Sequence, residues 1–270
     1  MIPIMTEIPA AHVTAAARAL MLAGRWSQAA ALLDSAVPAD GGERALLAVA
    51  AAEVAVDQDF WSRTAGGSSA LTRARAAADG AGAAVSFDLE FVCLKHDYAI
   101  ALFGPDDRDP GVAEDLAARA AALSDGAPDP VRQANAVFYA GLVAELLRAD
   151  EATARARYEQ ALRLGEEAGD ELIISYALRH LGYLAATAGD ADGARGMLQR
   201  SMELRQRVGC VPHVLAQQLA LAELAREAAG GRDAAWAEAM AGQVLTWARA
   251  FGDTWLVPAA SSMLPAGTTP

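Results

Sequence analysis

Lysine is nearly missing from this chain: Lys95 is the only one, so the basic residues are almost all arginine. The basic total is 22 against 34 acidic residues, a net charge of −12 and a pI near 4.7. A nucleic-acid partner is excluded on that balance, because phosphate binding needs a basic surface. There are only two cysteines, Cys93 and Cys210, far apart in sequence. They form neither a metal-type pair nor a disulfide framework, and inert buried thiols in a reducing cytoplasm are the expectation. No run of 18 or more apolar residues lacks charges or breakers, so no membrane partner is expected. The first residues show no basic stretch followed by an apolar one, and no signal peptide is read there. Aromatics make up 6% of the chain, yet hydrophobic residues reach 54%.

Alanine fills that gap, at roughly a quarter of the chain, well above ordinary usage. It is the best helix former, and its small side chain lets helix axes approach closely. No segment alternates apolar and polar residues at strand period for long. The expectation is therefore an all-α protein with tight helix packing.

Two series of small residues give the period. Gly80, Gly126, Gly169, Gly209 and Gly252 stand where helices stop, at intervals of about 40–46 residues. Ala74, Ala113, Ala154, Ala194 and Ala234 follow the same interval, each early in a second helix. Together they predict about six helix hairpins, near 9–38, 43–80, 84–126, 129–169, 170–209 and 211–252, as one domain spanning 1–252. Residues 61–69 read as an irregular loop, 104–110 as a proline-closed turn, and 253–270 as a C-terminal tail.

The clearest hairpin carries Leu178, Leu181-Gly182 and Ala185 on its first helix, Gly189-Asp190 at the turn, and Ala194 with Leu198 on its second. Ala154, Tyr158 and Ala161 match in the preceding hairpin, and Gly24, Trp26, Ala29, Leu33 and Ala36 in the first. This pattern resembles the tetratricopeptide repeat, in a variety longer than the usual ~34 residues. The resemblance implies a right-handed superhelical solenoid whose first helices line a concave groove. It also implies a scaffold that binds a protein or peptide and performs no catalysis, without cofactor or metal.

On a helical wheel Tyr176, Arg179, Tyr183 and Thr187 share the face that such a repeat turns to its groove. Neighbouring first helices extend that face with Asn135, Tyr139 and Glu145 on one side and Gln217 and Glu223 on the other, with His213 at the entrance. Tyrosine and arginine suit an interface because they anchor well. A second reading stands beside this one: enough hairpins enclose an aromatic-walled cavity that binds a small molecule, or even transforms it. A third is the repeat portion of a transcription regulator acting alone, without DNA contact.

Two further clusters need weighing. Glu90, Cys93, Asp97 and His96 are metal-ligand types at helical spacing, but no second cluster completes a site, and a buried stripe of Phe87, Phe91, Leu94 and Tyr98 with a polar edge is preferred. Trp247, Phe251 and Trp255 lie at the end of the last hairpin, to be covered by the tail or by a second copy in a homodimer. No phosphate loop, nucleophile elbow or paired histidine is present, so no catalytic residue is assigned.

Overall fold

The computed structural model describes residues 8–104, 109–227 and 233–265. Among the described residues there are thirteen helices and no strand. Most of the turn expected at 104–110, and residues 266–270 of the expected tail, lie outside them.

The chain divides into two compact units. One holds the residues up to Asp59 together with Thr64–His96, and the other holds Phe60–Arg63 together with the chain from Asp97 onward.

The first unit contains α1 (Ala10–Leu22), α2 (Trp26–Asp34), α4 (Gly67–Ala77) and most of α3 (Gly41–Ser62) and α5 (Ala83–Phe103). Its core is built from small residues and valines: Ala45, Val49, Ala52 and Val56 meet Ala70, Leu71 and Ala74 of α4 and Leu89, Val92 and Cys93 of α5. Trp26 donates its indole N–H to Asp57 at 2.7 Å. Lys95 pairs with Glu53 at 3.5 Å. Phe87 and Phe91 stack along α5, as their spacing predicts.

The second unit carries α6 (Pro110–Asp125), α7 (Pro130–Leu146), α8 (Glu151–Ala168), α9 (Glu171–Thr187), α10 (Ala191–Arg207), α11 (Val211–Glu227), α12 (Ala234–Phe251) and α13 (Leu256–Ser262). From α6 to α13 each helix packs on the next, the arrangement of a helical solenoid. A Gly-Asp pair punctuates it. Gly169 ends α8 at φ 68°, and Asp170 then caps α9 by accepting from Leu172 N and Ile173 N at 3.0 and 3.1 Å. Gly189-Asp190 repeats the device before α10, and Gly252-Asp253 repeats it before α13. The left-handed backbone at these glycines lets the following N–H reach back to a carbonyl of the last turn, as from Asp170 to Gly165 at 2.9 Å. Gly126 is the exception in its series, with φ −93°.

The alanine series behaves similarly. Ala74, Ala154 and Ala194 are fully buried, but Ala234 is only half-buried, and Ala237, one turn later, takes the buried place in α12. Three glycines inside helices mark close approaches between helices. A Cβ on Gly141 would stand 2.5 Å from the Tyr158 ring, and one on Gly165 2.5 Å from Ile173 Cγ2. Gly182 faces Leu198.

The loop expected at 61–69 begins later than its sequence indicates. α3 runs on to Ser62, and Trp61 is buried at 2% exposure. The indole decides this, because it finds aromatic partners in the second unit. Nor is the segment after 252 all tail: α13 packs on α12 and α11. It leaves Trp247 exposed, stacked on Phe251 at 5.9 Å.

Alanine at Gly141 should lower the urea unfolding midpoint. The overpacking costs about 1–3 kcal/mol and outweighs the ~1 kcal/mol that alanine gains over glycine in helix propensity. Gly196→Ala, where a Cβ meets nothing within 4 Å, should instead raise the midpoint, by roughly 0.5–1 kcal/mol.

Candidate functional site

The first helices of successive hairpins in the second unit bring their aromatic residues together. Tyr98 meets Tyr139 edge-on at 5.6 Å, and Phe138 stacks on Tyr176 at 5.5 Å. Tyr176 lies against His213 at 4.9 Å, and His213 against Trp61 at 4.7 Å. Phe60, beside Trp61, reaches Phe103 at 5.3 Å. Because Tyr98 and Phe103 share α5, the contacts return to the helix they started from. Trp255 joins at 5.6 Å from Trp61, and Thr254 N donates to Trp61 O at 3.1 Å. Hairpins in a simple repeat array touch only their neighbours. The Phe60–Arg63 segment breaks that rule inside this unit.

Three polar groups interlock on this face. Arg179 donates from Nη1 to the Ala216 carbonyl at 3.0 Å and to Gln217 Oε1 at 3.2 Å, and from Nη2 to the Tyr183 hydroxyl at 3.0 Å. It thus ties α9 to α11 at two points and braces Tyr183 on its own helix. Arg205 enters from α10. The residue is 1% exposed, and its guanidinium donates from Nη1 to His213 O at 2.9 Å and from Nε to Ser175 Oγ at 3.4 Å and lies 5.4 Å from the Tyr176 ring. Serines at 175 and 201, both fully buried, leave the room for its passage. Burial, and then the positive charge of Arg179, pull the Arg205 pKa down to about 9. Gln217 is fully buried; its Oε1 lies 3.3 Å from Ser201 Oγ, whose proton goes to Ser175 O at 2.7 Å, while its Nε2 has no partner. An unpartnered buried amide costs about 1–3 kcal/mol.

A second cluster lies one helix away. Glu145 Oε2 accepts from Tyr158 Oη at 2.5 Å and pairs with His180 Nδ1 at 2.7 Å. Burial works to raise the Glu145 pKa, but the hydrogen bond and charge of His180, then Tyr158 and Arg179, win and lower it. Burial lowers that of His180, outweighing Glu145. The pair is therefore a carboxylate receiving a proton donor from a neutral imidazole. Tyr158 is held as a phenol by burial and by that carboxylate.

Of the residues expected on the groove, Tyr176, Arg179, Tyr183, Gln217 and Glu223 stand on the α9 and α11 side of this face, all but Gln217 half-buried. Burial raises the Glu223 pKa against the pull of Arg179. Tyr139 joins through Tyr98 and Phe138. Asn135 does not take part in these contacts, since its amide donates to Val131 O within its own helix at 2.8 Å. Glu145 is drawn inward by His180 and Tyr158.

The metal-type residues of α5 turn to separate partners. Cys93 accepts from Arg75, His96 meets Ser68, and Asp97 pairs with Arg119 at 2.8 Å. Among the described residues no cluster of metal-ligand types forms. Sequence reading missed Arg205, Phe138 and Trp61. Arg205 sits on a second helix, whose side chains were expected to face away from the groove. Its one signal was a buried-phase position, a turn after Ser201 and next to Leu204.

No protein-family profile matches the sequence, and no curated protein sequence matches it. Among solved structures, the chain is similar to a signal-transduction ATPase with numerous domains from Pyrococcus horikoshii that carries a tetratricopeptide-repeat sensor. The likeness has a TM-score of 0.52 at 12% identity and covers 89% of this chain and 35% of that protein. It shows the fold: an all-helical repeat architecture like that of tetratricopeptide repeats. No helix among the described residues is long and apolar enough to cross a membrane.

The two depressed pKa values fix a pH dependence. His180, lowered from 6.5, contributes stability that is full above pH 6.5 and lost as pH falls toward its folded value. Glu145 likewise contributes stability above 4.5 that is lost on further acidification. His180→Asn should therefore lose less stability than the parent between pH 7 and pH 5, measured as urea midpoints. An unchanged slope would mean that His180 is not buried as the neutral form.

Proposed function

We propose that this chain is a non-catalytic helical-repeat scaffold that binds a protein or peptide partner on the face built by α7, α9 and α11. The supporting observation is the convergence of Tyr176, Arg179, Tyr183 and Glu223, half-buried and mixed in charge, on adjacent first helices. Aromatic and arginine side chains held in place by their neighbours make strong anchors, because little rotamer freedom remains to be lost on binding. Arg179 is already fixed by three hydrogen bonds. The reading places one domain in the cytoplasm, where buried free thiols such as Cys93 and Cys210 stay reduced.

A small-molecule ligand is the second reading, with no reaction assigned. It is favoured by the closed circuit of aromatic contacts from Tyr98 to Phe103, which gives planar groups on several sides.

Tyr183→Ala removes a ring over which the Arg179 guanidinium lies at 4.9 Å. It should weaken partner binding at least tenfold, as expected for an interface anchor worth about 1.4 kcal/mol or more. Trp236→Ala, on the exposed side of α12, should leave binding unchanged. Both would be measured on purified, folded protein by titration against the captured partner. If Tyr183→Ala and Arg179→Glu both fold and bind at full strength, the assignment of this face is wrong.

A further inference from the structure

Arg205 is a fully buried charge in the second unit with no ion pair among the described residues. Buried arginines are ordinarily paired with a carboxylate or another anion, because taking a lone charge out of water is costly. No carboxylate pairs with Arg205 among the described residues; its donors meet a serine hydroxyl and a backbone carbonyl. The largest charge effect on it comes from a second cation, Arg179, with Tyr176, Cys210 and Tyr183 acting the other way. Arg179 also lacks an ion pair among the described residues, since its partners are Ala216 O, Gln217 Oε1 and the Tyr183 hydroxyl. Two guanidinium groups, one buried and one half-buried, thus share one face in a chain whose net charge is −12.

Gln217 supplies the second, independent observation. Its Oε1 is committed to Arg179, which fixes the amide, since turning it over would set two donors face to face there. The Nε2 is left as a buried donor without an acceptor. The atom of this cluster left without a partner is a donor, it lies beside two guanidinium groups, and an acceptor with negative charge would complete the set.

We propose that Arg205, Arg179 and Gln217 form the seat of a small anion, a carboxylate or phosphate headgroup on a planar apolar body that lies against Tyr176. The proposal rests on the α7–α9–α11 face being a recognition surface, and it names the chemistry recognised there. Guanidinium forks match carboxylate and phosphate oxygens, and the Nε2 adds a neutral donor. Tyr176, stacked on Phe138 and tilted against His213, supplies the aromatic wall. The nearby acidic residues do not fill the role: Glu145 is occupied by Tyr158 and His180, and Glu223 forms no ion pair with either arginine among the described residues.

The test uses the full chain with benzoate, inorganic phosphate and, as a neutral control, benzamide, at constant ionic strength set with chloride. Calorimetric titration and thermal melting are read together. Saturable binding of benzoate or phosphate with a rise in melting temperature, and none with benzamide, is expected. Benzoate alone would identify an aryl carboxylate, and phosphate alone a phosphate headgroup. Gln217→Glu places a carboxylate inside the cluster. It should melt higher than the parent without ligand and lose the anion response. Arg205→Met, similar in volume, should weaken anion binding at least tenfold. If neither anion binds the folded parent saturably, or if binding is undiminished in Gln217→Glu, the proposal is overturned. Loss of the anion response with partner binding still sensitive to Tyr183→Ala would sink the anion site and leave the scaffold standing. Anion binding with an insensitive partner would do the reverse.

Discussion

Close contact between paired helices is the constraint on which the second unit depends. Gly141 against Tyr158, Gly165 against Ile173 and Gly182 against Leu198 each place a hydrogen atom where any other residue would place a carbon. Fully buried alanines at 154, 161 and 194 extend the same contact along the helices. With so little side-chain volume between partners, each hairpin is thin and the next stands close. First helices then meet face to face, and their larger residues crowd onto one side. The aromatic contacts from Tyr98 to His213 follow from that spacing. So does the passage of Arg205, which reaches past the small serines at 175 and 201 rather than through a layer of leucines.

The helical architecture was legible because its determinants are local. Gly-Asp pairs report a left-handed helix end and the cap of the next helix within two residues, and the alanine series reports which face must be thin. These signals located α7 to α10 within a residue or two. The misreadings came from long-range determinants. Trp61 looked like the start of a loop, since the residues that follow it, including Gly66-Gly67, are loop formers; its burial depends on His213 and Trp255, which no local pattern announces. Ala234 fitted the interval, yet Ala237 fills the buried place, a slip of one helical turn that leaves the face unchanged.

The candidate site divides the same way. Tyr176, Arg179 and Tyr183 were readable because one helix at 3.6 residues per turn fixes their common side. Glu223 and Gln217 followed from the neighbouring helix in the same manner. Asn135 followed the same logic and still turned back on its own helix, because a short amide finds the i−4 carbonyl more easily than a distant partner. Arg205 was invisible to that logic. A repeat pattern assigns each helix one inward side, and a long side chain from the outer helix can cross it. Electrostatically, the result is a local positive field inside an acidic molecule, with the Glu145–His180–Tyr158 cluster set beside it as a neutral-imidazole, ionised-carboxylate pair.

The hydrogen bond between residues 254 and 61 has a kinetic consequence. An array whose contacts are all between neighbours has low contact order, so it can nucleate in many places and zip outward. Joining Trp61 to Thr254 and Trp255 closes a loop that spans most of the chain, and the entropy of that closure must be met before its contacts are gained. The hairpins between α6 and α12 are able to form early from local contacts. The Phe60–Arg63 segment docks late, so the molecule folds with the tempo of its most distant contact rather than that of its repeats.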